Sequence, residues 1–319
     1  MLSVQTLFRY TAKKSCLTSL MLLISLGYSS QSAMADTLTV TYAGSMGVVM
    51  DNGLGPDFAK KNHVDYQGQG QGAYGMARLL ASKKVVADVF VSITPGPIEV
   101  LKQAGLVEQA EPVASTRMVI AYNPHSRFAP QFAQLGENNQ TAWWKILSEP
   151  GFRFGRTDPT SDPQGQNIIF TLKLAERYYQ QPGLAKTIMG ELINPQQIAA
   201  EGGLLTRLEA GQVDAASGYE SATRSAKLPY VVLPDQINLS NPDYSQQWYN
   251  KVSFTLTDHT GQPKTYHPQP LVFYAAVLKN APHPELAQQF IRYLSSAPAQ
   301  QIFKDNGYDQ PKGKGLYLQ

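Results

Sequence analysis

The amino-acid sequence predicts an α/β fold with two lobes, because strand-like and helix-like segments alternate in two successive blocks. Five predicted strands carry this alternation: Thr37–Ala43, 64–67, 87–92, 153–155 and 213–218. A buried strand over Leu271–Leu278 and two amphipathic helical stretches then complete the chain. Strands that alternate with helices at this spacing form largely parallel sheets with helices on both faces. With the returning C-terminal segment, we predict two mixed sheets and a ligand cleft between the lobes.

The first 35 residues have the composition of an export signal. Three basic residues precede a short apolar core, Leu17–Leu26, and Ala33-Met34-Ala35 matches the small-residue rule for cleavage. The apolar core is too short to span a membrane stably. We therefore assign residues 1–35 to a cleavable signal peptide and expect the mature chain in the periplasm.

The remaining composition narrows the class of protein. Cys16 is the only cysteine and lies inside the predicted leader, upstream of its cleavage point, so we expect neither a lipid anchor nor a disulfide. The leader holds three of the 27 Lys and Arg and none of the 24 Asp and Glu, so the mature chain is formally neutral. Neutrality without a basic patch argues against nucleic-acid binding. We expect a soluble monomer without membrane insertion.

The order of the two blocks predicts the limits of the lobes. We assign residues 36–117 to the first part of lobe 1, residues 118–275 to lobe 2, and residues 276–319 to a return to lobe 1. In α/β sheets, ligands bind beyond the carboxyl ends of the strands. The ligand is therefore expected where strand ends of both lobes meet.

Small polar residues stand at the strand ends of lobe 1. Ser45 follows the first strand, Ser92 ends the third, and the glycine-rich run Gly68–Gly72, interpreted as a loop, follows the second. Ser45 could also be a simple helix cap. The glycine run lacks the Gly-Lys-Ser/Thr ending of a nucleotide phosphate loop, so we do not expect it to bind a nucleotide.

Two acids stand at element boundaries of lobe 2. Asp162 precedes Pro163 at a helix start, where side-chain caps and anion-binding N–H groups both occur, and Glu220 follows the strand that ends at Gly218. Taken alone, Asp162 is better explained as a plain N-cap and Glu220 as a solvated first-turn carboxylate than as ligand contacts. Two carboxylates in a dry cleft would repel sulfate or phosphate. Two such acids are compatible with a bound oxyanion if they stay protonated or if they bond to its central ion, which hexavalent molybdenum and tungsten permit.

Six stretches make the chain resemble the tungstate/molybdate-binding proteins of ABC transport systems over essentially its whole mature length. They are YAGSM at 42–46, ADVFVS at 87–92, TSDPQG at 160–165, GYES at 218–221, LPDQINLSNPDY at 233–244 and KNAPHPELAQQFIRYLSS at 279–296. The resemblance implies a type II periplasmic-binding-protein fold and a role as the substrate-binding component of an importer. Its expected partners are a permease with its ATPase, and no cofactor is expected.

The resemblance also implies which residues hold the oxyanion. Hydroxyls and backbone N–H groups would come from lobe 1, and two carboxylates from lobe 2 would bond to the metal of the oxyanion. The implied set is Ser45, Ser92, Gly70, Gly72, Asp162 and Glu220. The chain departs from the family after the Asp-Pro pair, where Gln164–Asn167 reads Gln-Gly-Gln-Asn and family members commonly carry Cys-Gly-Tyr-Arg.

Other functions stay open at this point. The cleft could hold another oxyanion, such as sulfate or phosphate, or a small organic acid, although Arg117 is the one arginine at a predicted cleft strand end. A secreted serine hydrolase could use Ser45, because Ala43–Gly47 is similar to a nucleophile elbow, with His259 or His267 as base. Ser45 is only ten residues from the predicted start of the mature chain. The segment before it is therefore too short to contain the earlier strand that such an elbow needs.

Overall fold

A computed structural model describes residues 36–135, 143–257 and 261–317. The predicted signal peptide, including Cys16, and His259 lie outside the described residues. Within the described parts of the chain, no helix combines the length and the apolar character needed to cross a membrane.

The strands follow the predicted alternation closely. They are β1 (Thr37–Ala43), β2 (Asp65–Gln71), β3 (Val89–Ile93), β4 (Glu111–Ser115), β5 (Met118–Tyr122), β6 (Phe154–Thr157), β7 (Ile198–Ala199), β8 (Ala215–Tyr219), β9 (Tyr230–Val232), β10 (Phe254–Thr257), β11 (Pro263–Tyr266) and β12 (Val272–Val277).

Helices fill most of the connections between these strands. They are α1 (Gly47–Val49), α2 (Gly55–Asn62), α3 (Ala73–Ala81), α4 (Pro95–Gln103), α5 (Ala129–Gln134), α6 (Trp143–Leu147), α7 (Pro163–Tyr178), α8 (Leu184–Met189), α9 (Glu201–Glu209), α10 (Glu220–Ser225), α11 (Asp235–Asn238), α12 (Pro284–Leu294) and α13 (Ala297–Asp305). A 3₁₀ turn over Gly44–Met46 precedes α1, and a π-helical turn over Met50–Leu54 follows it.

The strands form two mixed five-stranded sheets, as predicted. The first has the order β2-β1-β3-β12-β4, in which β1 is parallel to β2 and β3, and β12 is antiparallel to β3 and β4. The second has the order β7-β6-β8-β5-β9, in which β6 is parallel to β7 and β8, and β5 is antiparallel to β8 and β9. Strands β10 and β11 form a separate hairpin.

The chain crosses between the two sheets in two neighbouring places. It passes from β4 to β5 through Thr116 and Arg117, and it returns to β12 through Leu271. The N–H of Thr116 donates to the carbonyl of Leu271 at 3.1 Å, and the N–H of Leu271 donates to the carbonyl of Leu239 at 3.0 Å, so the crossings lie side by side. The predicted limits of the lobes stay a prediction; the limit between residues 275 and 276 falls inside β12.

The glycine-rich run is a strand, and its interpretation as a loop is wrong. Residues 68–71 continue β2 and pair in register with β1. Glycine disfavours strands in general, but here it makes room for large neighbours. A Cβ on Gly70 would lie 2.6 Å from the ring of Tyr42, and one on Gly68 would collide with Asp51. The Tyr42 hydroxyl donates to Asp51 at 2.5 Å, so the glycines accommodate a packed pair of side chains.

Candidate functional site

The two sheet regions face each other across a cleft that contains two cavities. The Ser45 cavity, of about 280 Å³, is lined by the turn after β1 and, opposite it, by the start of α7 and by α9 and α10. Its walls include Gly44, Ser45, Val48, Gln164, Leu204, Leu205, Gly218 and Ala222. Hydroxyl, amide and backbone groups lie here beside leucine and alanine side chains. The wall of the cavity is therefore mixed, with a polar and an apolar part.

The Asp162 cavity, of about 230 Å³, lies at the same cleft. Its lobe 1 wall consists of Gln71, Gly72 and Gly75, where β2 passes into α3. Its opposite wall includes Asp158, Ser161, Asp162, Ala199 and Ala200, around the segment that leads into α7. The first turn of α7 thus contributes to both cavities, and a helix N-terminus favours anions.

Asp162 is the N-cap of α7, as its position before Pro163 predicts. Its Oδ1 accepts a hydrogen bond from the Gln164 N–H at 2.9 Å. The side chain is 2 % exposed, and Oδ2 is buried without a hydrogen bond to any described residue. Burial raises the pKa of Asp162 to about 6, and the nearby Asp158 adds to this rise, while the Gln164 N–H and the neighbouring Thr157 hydroxyl oppose it. A carboxyl with a raised pKa, one oxygen of which caps α7 while the other is buried, therefore lies at the cleft.

Glu220 has a different environment. Its Oε2 lies 2.7 Å from Nε of Arg117, and its Oε1 accepts a hydrogen bond from the Tyr230 hydroxyl at 3.0 Å. Arg117 also contacts Asp309 of the C-terminal segment at 3.2 Å. Burial, followed by the charge and hydrogen bond of Glu220, raises the pKa of Tyr230 to about 12. Both oxygens of Glu220 are engaged, and the residue lines neither of the two cavities.

The structure brings three of the six predicted ligand residues to the cleft. Ser45 lines one cavity, and Gly72 and Asp162 line the other. Ser92 is fully buried in β3, where its hydroxyl donates to the Ile93 carbonyl at 3.1 Å, and Gly70 lies under Tyr42. Neither Ser92 nor Gly70 is in the wall of these cavities, so their ligand roles stay predictions from the resemblance.

The lobes touch across the cleft beside the Asp162 cavity. The N–H of Gly75 in α3 donates to the Ser161 carbonyl at 3.2 Å, and Nη2 of Arg78 donates to the Thr160 carbonyl at 3.4 Å. These bonds join the helix after β2 to the segment before α7. The two walls of the Asp162 cavity are therefore in direct contact at this point.

Gln164 is a cleft residue that the sequence interpretation left out as a ligand contact. Its side chain is 5 % exposed, and Nε2 donates to the Ser217 carbonyl at 3.1 Å, which fixes α7 to the end of β8. Its position directly after the Asp162-Pro163 helix start was the available signal, because early helix residues face whatever the N-terminus binds. Leu204 and Leu205 gave no such signal.

No group of three or more His, Cys, Asp or Glu side chains within residues 36–135, 143–257 and 261–317 is placed to hold a metal ion. Trp143 is fully buried in α6, and its indole N–H donates to the Tyr179 hydroxyl at 3.0 Å. This tryptophan is a core residue and lines neither cavity of the cleft.

Comparison with known proteins places the chain among binding proteins. The family described as bacterial extracellular solute-binding protein matches residues 38–309. A molybdate/tungstate-binding protein WtpA of Pyrococcus abyssi is 29% identical over 85% of this chain and 84% of its own length. The protein of the same name from Thermococcus kodakarensis is 29% identical over 86% of this chain and 82% of its own length.

Solved structures show the same fold at lower identity. The periplasmic molybdate-binding protein of Azotobacter vinelandii has a TM-score of 0.59 at 17% identity, covering 86% of this chain and 100% of its own. The sulfate-binding protein SubI of Mycobacterium tuberculosis has a TM-score of 0.58 at 17% identity, covering 86% and 87%. Because these two proteins are named for different oxyanions, their likeness supports the fold and leaves the ligand to the chemistry of the cleft.

Proposed function

Because the chain belongs to the family of bacterial extracellular solute-binding proteins, we propose that it captures tungstate or molybdate and delivers it to an ABC permease. The relatives named for molybdate and tungstate support this ligand class. The predicted leader places the capture step in the periplasm, and the permease works with its own ATPase. The protein acts as a monomer, and it needs no resident cofactor and carries out no catalysis.

The observation that carries the proposal is the buried Asp162 carboxyl at the cleft, of which only Oδ1 is used to cap α7. A buried carboxylate oxygen in the wall of an anion cleft is unfavourable for sulfate or phosphate, because the like charges repel strongly at low dielectric. The same oxygen is a suitable hard ligand for molybdenum or tungsten, whose oxygen shell can expand. Asp162 is fixed in direction by its bond to Gln164, and its buried second oxygen has to become exposed to the cavity before it can bond the metal.

The rest of the cleft supplies neutral groups for the oxyanion oxygens. Ser45 contributes from lobe 1, and the start of α7 contributes the positive end of its dipole. The amide of Gln164 lines the same cavity. Glu220 can add the second carboxylate that the resemblance implies only after it gives up Arg117 and Tyr230.

A small organic acid is a second candidate, favoured by one observation. Leu204, Leu205 and Ala222 give the Ser45 cavity an apolar wall, and its volume of about 280 Å³ leaves space for carbon atoms. An oxyanion alone would not use this wall. The apolar part would suit the hydrocarbon portion of a carboxylate ligand.

Calorimetric titration of the protein from Asp36 onward with tungstate, molybdate, sulfate and phosphate tests the proposal. We expect tight binding of the first two anions and no detectable binding of the others. Sulfate or phosphate binding of equal strength would mean that Asp162 only caps α7. If none of the four anions binds detectably, the oxyanion proposal is contradicted and a small organic acid becomes the favoured ligand.

A further inference from the structure

Helix α3 begins without the side-chain cap that helices usually have. Its N-cap is Gly72, and no side chain accepts a hydrogen bond from its first turn. Serine, threonine, aspartate and asparagine are preferred at this position, because their side chains satisfy one of the unpaired N–H groups. The backbone angles of Gly72, φ −52° and ψ 120°, are accessible to any residue. Local conformation therefore does not explain the glycine.

The missing cap is supplied from the other side of the cleft. Gly75 is the third residue of α3, and its N–H donates to the Ser161 carbonyl at 3.2 Å. This N–H is one that a capping side chain normally satisfies. Arg78, one turn further along α3, donates to the neighbouring Thr160 carbonyl at 3.4 Å. The segment before α7 thus acts as the cap of α3.

The capping segment is shaped before it meets α3. Oδ1 of Asp158 accepts bonds from both the N–H and the hydroxyl of Thr160, each at 2.8 Å. The N–H groups of Ser161 and Asp162 donate to the Asp158 carbonyl at 3.2 and 2.9 Å. The turn that presents the Ser161 carbonyl to α3 is therefore the same turn that orients Asp162.

The space at Gly72 is limited by this turn. A Cβ at Gly72 would lie 3.0 Å from the Ser161 carbonyl oxygen and 3.4 Å from Cβ of Asp162. These are atoms of the opposite lobe, and the first belongs to the backbone that caps α3. A larger side chain would hold the two lobes apart. At Gly72 a Cβ alone would require the opposite wall to shift by a few tenths of an ångström, and a longer side chain would require more.

We propose that Gly72 is a positioning residue whose missing side chain lets the Ser161 carbonyl cap α3 across the cleft. Closing of the cleft and completion of the first turn of α3 are then one event, which also brings Asp162 into the ligand site. The role of Gly72 in closing stands on the geometry, and its effect on tungstate affinity rests on the proposed function.

A matched pair of glycine substitutions tests the proposal. Gly72→Val adds a side chain at the contact with Ser161, whereas Gly203→Ala, in α9 of the other lobe, adds a Cβ that would meet nothing within 4 Å. We expect Gly72→Val to weaken tungstate binding roughly 10-fold, chiefly through faster dissociation, since interface changes act mainly on that rate. Gly203→Ala should stay within about 2-fold of wild type, because it leaves the contact between Gly72 and Ser161 intact.

Two further readouts separate closing from folding and from ligand identity. Hydrogen exchange at the Gly75 N–H should slow when tungstate binds to the wild-type protein. The same exchange should slow much less when tungstate binds to Gly72→Val. Fluorescent dyes on Lys60→Cys and Lys186→Cys, one in each lobe, report the closed fraction without ligand. If wild type binds no oxyanion, the proposed function fails, but the dyes still compare the two variants.

The proposal also predicts an order among the variants. Gly72→Ala, which adds only the Cβ, should fall between wild type and Gly72→Val in dissociation rate and closed fraction, and it replaces Gly72→Val if that variant does not fold. If the Gly72 variant has the same closed fraction and the same exchange rate at the Gly75 N–H as the wild-type protein, Gly72 does not have the proposed role. Equal losses in the control Gly203→Ala would overturn it as well.

Discussion

Asp162 and Glu220 each lie at the boundary of a strand or helix in the second lobe, yet the burial and the hydrogen bonds of their carboxyl groups differ. Asp162 is buried, and one of its oxygens has no hydrogen bond to a described residue. Glu220 uses both oxygens, one with Arg117 and one with Tyr230. The comparison teaches that neighbours from distant segments decide whether a carboxylate can bind a ligand.

The largest effect should come from removing the carboxylate of Asp162. Asp162→Ala should weaken tungstate binding roughly 100-fold, since truncating one partner of a buried charged contact costs about 2–5 kcal/mol. Asp162→Asn separates ligand binding from capping, because asparagine also caps helices. Calorimetry on both variants measures the effect. Tighter binding by Asp162→Asn would mean that the carboxylate only repels the anion.

A second difference between the acids should appear in the pH dependence of stability. The pKa of Asp162 in the folded protein, about 6, lies above its ordinary value of 3.8, so the folded state holds the proton more tightly than the unfolded state. The free energy of unfolding should therefore fall as pH rises from about 4 to 6, by on the order of 3 kcal/mol. Denaturant unfolding of the ligand-free protein measures this component, which Asp162→Asn should lack. An identical pH profile in Asp162→Asn would contradict it.

A smaller effect is expected at Glu220. Glu220→Gln removes the charge that faces Arg117, whose side chain is 30% exposed. Tungstate affinity should fall by less than about 10-fold, because partly exposed ion pairs contribute about 1 kcal/mol or less. In an Arg117→Gln background the same substitution should have little further effect, and a double-mutant cycle measures this coupling. If Glu220→Gln weakens tungstate binding as much as Asp162→Ala does, and does so equally in the Arg117→Gln background, then Glu220 bonds the metal.

The smallest expected difference between the two acids is in how added salt changes their contributions to tungstate affinity. Arg117, Glu220 and Asp309 are partly exposed, with 42% of the Asp309 side chain accessible, so added salt screens them. The ratio of wild-type to Glu220→Gln affinity should shrink by about 2-fold between low and high ionic strength. The ratio of wild-type to Asp162→Asn affinity should hold, because the buried Asp162 is screened much less. Equal salt dependence of the two ratios would contradict the distinction.

Much of the fold follows from local patterns in the sequence. The alternation of the β1 segment and the apolar β12 segment predicts both strands, and the Asp162-Pro163 pair predicts the start of α7. The glycine-rich part of β2 is different, because glycine lowers strand propensity and the compensating contacts come from Tyr42 and Asp51. No local pattern shows those contacts.

The site is predicted less completely than the fold. Ser45, Gly72 and Asp162 lie at the cleft because strand ends and helix starts meet there. The partner of Glu220 is Arg117, which is distant in sequence and meets it only through the pairing of β5 with β8. The role of Gly72 depends on a carbonyl of the opposite lobe. Contacts of this kind require the tertiary structure.

X-ray absorption at the tungsten edge tests the distinction between the two acids most directly. We expect the oxygen shell of protein-bound tungstate to be larger than that of the free tetrahedral ion, to return to the tetrahedral form in Asp162→Asn, and to stay expanded in Glu220→Gln. A tetrahedral shell in the wild-type protein, or its return in Glu220→Gln with no change in Asp162→Asn, would contradict Asp162 as the carboxylate that bonds the metal.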